Sequence, residues 1–102
     1  MAYSVIPTET FESEYGSILG YIAETLGAPK AAGDLADALD CVRIEISENP
    51  FLYAVSRKPA MNGLELRERL MRGYVVVYRV SGDNVYLEHI FHQSQDFAAL
   101  KL

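Results

Sequence analysis

At 102 residues, half of them hydrophobic and 23% charged, the chain has the size and balance of one folded domain spanning 1–102, which excludes a disordered segment. No apolar run approaches the roughly 18–20 residues that cross a bilayer, and no basic-then-apolar leader opens the sequence, so no membrane association is expected and a cytoplasmic location is. The lone cysteine, Cys41, excludes an internal disulfide and a cysteine-ligated zinc or iron–sulfur centre, and no cofactor or metal is expected.

The net charge is -5, but the two halves differ. Residues 1–50 hold nine acids against Lys30 and Arg43, whereas residues 51–102 hold five acids against seven bases. Six of the nine cations, Arg57, Lys58, Arg67, Arg69, Arg72 and Arg79, fall between positions 57 and 79. General nucleic-acid affinity needs many phosphate contacts, so strong direct binding to nucleic acid is not expected.

Along the chain, Ala2–Pro7 alternates in the manner of a short strand ended by proline, and its pairing partner is open. Thr8 is the expected N-cap of a helix whose first turns carry Glu9, Glu12 and Glu14, where the helix dipole favours anions. Phe11, Tyr15, Ile18, Ile22 and Leu26 then recur at helical spacing and form one apolar stripe. Gly27 suits the C′ position and Pro29 the start of a second helix, which runs to about Ser47 with the stripe Ala32, Leu35, Leu39, Val42 and Ile46. Asn49-Pro50 stops it. The short link predicts an antiparallel helical hairpin, and Cys41, mid-helix beside Val42, reads as a small buried hydrophobe.

Phe51–Gly63 is irregular and ends in loop chemistry. In Leu64–Met71 the residues Leu64, Leu66 and Leu70 face one way, interrupted by Glu68. Arg67 and Arg69 face the other way with Glu65 and Met71, and that side is read as the polar, solvent side. Arg72-Gly73 makes a turn, and Tyr74–Val80 is a β-branched and aromatic strand covered on both faces. Ser81-Gly82-Asp83-Asn84 makes the next turn, and Val85–Phe91 is the last strand. The predicted fold is α+β: an N-terminal strand, then a helical hairpin packed on one face of a sheet completed by a C-terminal three-strand antiparallel meander.

Chemistry-bearing residues are few. Arg67 and Arg69 share a strand face, and Arg79 on the next strand could join them in an anion-binding patch; the competing reading is a solvated face with cross-strand ion pairs to Glu65 or Glu88. His89 and His92 fall on opposite faces at strand spacing, which argues against a shared metal. His92, four residues before Asp96, either acts at a site or fixes the C-terminal turn, while His89 reads as a packed or edge residue. There is no phosphate-cradling glycine loop and no nucleophile elbow.

Four features together resemble the RelE/ParE superfamily of bacterial type II toxins, known for plasmid stabilization. They are the opening Met1-Ala-Tyr3 strand, the helical hairpin, the strand Gly73-Tyr-Val-Val-Val-Tyr-Arg-Val80, and the ending Ile90-Phe-His-Gln-Ser-Gln-Asp96. The resemblance implies a small sheet with a helical hairpin on it and a cognate antitoxin partner. RelE-like members cut mRNA in the ribosomal A site with basic residues on the sheet, and the resemblance places those positions at Leu66, Glu68, Val75 and Gln95, none of them basic. ParE-like members bind and inhibit DNA gyrase, and His92-Gln-Ser-Gln-Asp96 is similar to their ending without its usual basic residue. The expectation is a ParE-like gyrase inhibitor that binds its target through Arg67, Arg69, Arg79, His92 and Asp96. The alternatives are a ribosome-dependent mRNA endonuclease using Arg67, Arg69, Arg79 and His92 as catalytic residues, and a degenerate homologue that only binds its antitoxin.

Overall fold

The structure is a computed structural model and describes residues 2–53, 55 and 65–94. The element order is β1 (Ser4–Pro7), α1 (Glu9–Gly20) continuing into a π-helical segment (Tyr21–Thr25), α2 (Pro29–Glu48), β2 (Arg67–Met71), β3 (Tyr74–Ser81) and β4 (Asn84–His92). Two helices cover one face of a four-stranded sheet of order β1-β4-β3-β2, which is the predicted α+β architecture. The N-terminal strand finds its partner in β4 and runs parallel to it, while the three C-terminal strands form the antiparallel meander.

Local chemistry sets the element ends. The Thr8 hydroxyl accepts the Phe11 N–H at 3.1 Å and caps α1. Gly27, at φ +63°, lets the chain leave the helix in a left-handed conformation, and the Ala28 N–H returns to the Ile22 carbonyl at 3.0 Å. In the β2–β3 turn, Arg72 and Gly73 both adopt positive φ, the signature of the primed turn whose twist matches antiparallel strands.

The main core lies between helices and sheet. Phe11 and Ile22 from the first helical stretch meet Ala32, Leu35, Leu39, Val42 and Ile46 of α2 over Met71, Val76, Tyr78, Val85, Leu87 and Ile90. Tyr15 and Ile18 are half-buried against this core, but Leu26 is 58% exposed: it caps the π-helical segment where the chain turns toward α2, so the predicted stripe stops one position early. Cys41 is exposed, not buried, because the buried α2 stripe runs through Leu39 and Val42 and leaves the residue between them turned outward. A second cluster, Leu66, Val75, Val77 and Phe91, occupies the sheet face opposite the helices.

Candidate functional site

The two β2 arginines lie on the helix-covered face, not the polar outer face that the sequence pattern predicts. Arg67 is paired with Tyr78 and Arg69 with Val76, and Met71, two residues on, sits in the main core. Arg69 donates to Glu45 of α2 at 3.3 Å, and its guanidinium lies 5.2 Å from the centre of the Tyr53 ring. Arg67 stacks over Phe51 at 5.1 Å and donates to the Tyr53 carbonyl. Each aliphatic stem and planar head is therefore spent on clamping the segment that leaves α2 onto the edge strand.

Glu45 closes this cluster. The Tyr53 hydroxyl donates to its carboxylate and Arg69 does the same, so the Glu45 carboxyl is held below its ordinary range, chiefly by the Tyr53 bond. The same bond holds the phenolic proton and pushes Tyr53 above its usual value. Beneath the cluster Tyr78 is fully buried and donates to the Pro50 carbonyl at 2.7 Å.

Arg69→Ala is expected to cost about 1–2 kcal/mol of stability by unpairing Glu45 and uncovering Tyr53, read as a lowered urea midpoint. An unchanged midpoint would contradict the placement. Because the Glu45 carboxyl titrates lower in the folded chain, its contribution is complete above the ordinary carboxylate range and is lost as pH falls through the lowered value. Glu45→Gln should therefore flatten the acid limb of the stability profile, measured by thermal melts between about pH 2 and 6.

Arg79 is separated from the other two arginines. It alternates with Tyr78 and points to the opposite face, where it pairs with Glu88 at 3.0 Å and stacks over Tyr86 at 4.9 Å. The structure thus brings Arg67 and Arg69 together and keeps Arg79 apart. His92 ends β4 beside Tyr74, ring centres 5.3 Å apart, and its Nδ1 engages Ser94 at 2.7 Å, so it fixes the turn after the strand. Asp96 and Gln95 lie outside the described residues.

One acid was hidden in the sequence among helix-dipole residues. β1 ends at Pro7, so β4 beyond Leu87 has no strand on that side. Glu14 of α1 takes the strand's place: its carboxylate accepts the Ile90 N–H at 3.1 Å and faces His89 Nδ1 at 3.1 Å. A register shift between Val77 and Tyr78 leaves Glu88 as the extra residue of β4, which turns His89 toward this edge. His89 is buried there, as a packed edge residue.

The open sheet face is where the resemblance puts the basic residues of the RNA-cutting branch. Leu66 and Val75 are buried there with Val77 and Phe91, and Glu68, paired with Val77, lies on the same face. Among the described residues no group of three or more His, Cys, Asp or Glu side chains is arranged to hold a metal ion. No helix among them is long and apolar enough to cross a membrane.

Comparison with known proteins agrees with this architecture. The family described as ParE toxin of type II toxin-antitoxin system, parDE, matches residues 5–97. No curated protein matches. Among solved structures, the chromosomal ParDE toxin–antitoxin system from P. aeruginosa is similar, at a TM-score of 0.70 and 15% identity over 89% of this chain and 96% of that one, which establishes the shared fold. With nearly its whole length matched and its hairpin-on-sheet fold reproduced, the chain belongs to the ParE toxin family of type II toxin–antitoxin systems.

Proposed function

We propose that the chain is a toxin subunit that acts by protein–protein binding, with DNA gyrase as its target, and that a cognate antitoxin neutralises it by covering its surface. The observation that carries this reading is the composition of the open sheet face. An RNA-cutting site needs cations aimed at the scissile phosphate, worth several kcal/mol per group in the transition state. Here that face presents Leu66, Val75, Val77 and Phe91 as a buried apolar cluster with Glu68 beside them. Arg67 and Arg69 are engaged on the other face, and Arg79 is neutralised by Glu88. A chain of net charge -5 also lacks the long-range field that would draw it to ribosomal RNA.

The test is gyrase-catalysed supercoiling of relaxed plasmid with the purified chain added. Inhibition that is relieved by the antitoxin is expected. Unaltered supercoiling at a large molar excess of the chain would remove gyrase as the target.

A further inference from the structure

We infer that the side of the two helices turned away from the sheet seats a cationic amphipathic segment of the antitoxin, an assignment that rests on the toxin–antitoxin reading above. Residues 9–48 carry nine acids against Lys30 and Arg43. Three of these acids are engaged within the chain: Glu14 at the β4 edge, Asp34 with Lys30, and Glu45 in the arginine cluster. Glu9, Glu12, Glu24, Asp37, Asp40 and Glu48 are exposed and make no ion pair among the described residues. The helical layer therefore presents uncompensated negative charge.

Two further observations define the shape of the occupant. Large apolar side chains stand out of the same acidic layer: Tyr21 is 54% exposed, Leu26 58% and Ile44 62%. Gly16, Gly20 and Gly33 sit in helix interiors, where each costs roughly 1 kcal/mol relative to alanine. A Cβ added at any of them meets nothing within 4 Å, so packing inside this chain does not call for glycine there. Bare helix backbone of this kind allows a partner segment to approach closely.

Charge complementarity then selects the occupant. A cationic segment gains from the unpaired carboxylates, and its apolar side covers Tyr21, Leu26 and Ile44. A nucleic acid or an acidic peptide meets repulsion. So does a second copy, whose equivalent face has the same sign.

The experiment titrates the purified chain with the purified product of the short reading frame adjacent to its gene, by calorimetry at about 50 and about 300 mM salt. Wild-type affinity should fall at least about tenfold between the two salts. D37N/D40N/E48Q should bind at least about tenfold more weakly at the lower salt and lose most of the salt dependence. Gly20→Leu, which leaves the charge unchanged, should weaken binding by a similar factor, with circular dichroism confirming the fold of both variants. A complex whose affinity and salt dependence are untouched by these changes overturns the inference and leaves the toxin–antitoxin reading standing. Failure of wild type to form any complex overturns both. Self-association of the free chain that the substitutions abolish gives this face to a second copy and likewise overturns the inference.

Discussion

Replacing Tyr78 with alanine is expected to lower the unfolding free energy by about 3–5 kcal/mol, the largest single effect in the molecule. Tyr78 is fully buried, is paired with Arg67 on one side and Leu87 on the other, and joins the core to the segment after α2 through its hydroxyl bond to Pro50. Tyr78→Phe keeps the ring and loses only that bond, so its cost should be about 1–2 kcal/mol. The pair of variants separates cavity from hydrogen bond, and urea unfolding measures both. Burial also pushes the Tyr78 phenol from 10.0 to about 12. The unfolded chain releases that proton first, so stability should decline as pH rises from about 10 to about 12, by roughly 2–3 kcal/mol in all, and level off above. Tyr78→Phe should abolish that decline; if it persists unchanged, another group is responsible.

Glu14→Ala should cost about 2–3 kcal/mol, far more than a surface acid. Removing the carboxylate strips the Ile90 N–H of its acceptor where no strand can replace it, and leaves the buried His89 ring facing an empty site. Glu14→Gln retains one acceptor oxygen and should cost less. Amide exchange at Ile90 gives a local readout: it should accelerate by more than about tenfold in Glu14→Ala, while Val76 in the sheet interior keeps its protection relative to global stability. Uniform acceleration at both sites would show that Glu14 supports the fold at large and has no particular role at this edge.

What could be read from the sequence was what short-range rules determine. Thr8, Gly27 and Asn49-Pro50 mark helix ends through their own backbone preferences, and both hairpin turns announce themselves through glycine and its neighbours. The buried stripe of α2 matched residue for residue because its spacing is helical throughout.

The faces of β2 were not readable in the same way. Leu66 and Leu70 suggested that their side was the core side, yet Leu66 joins the second cluster on the open face and Leu70 is 53% exposed. Arg67 and Arg69 looked like a solvated face because their partners, Phe51, Tyr53 and Glu45, come from a distant part of the chain. Met71, which shares their parity and is buried in the main core, was the one local sign of the true orientation. The role of Glu14 was equally out of reach, since it depends on where β1 ends relative to β4, a matter of long-range register.

The central claim is that this toxin works by docking to a protein and not by cutting RNA. The most direct measurement follows the 5′ ends of a defined mRNA in a translating bacterial extract as the purified chain is added. The account predicts full-length transcript with no new ends at any codon. New 5′ ends that appear with the chain, require translating ribosomes and vanish when antitoxin is supplied would contradict it.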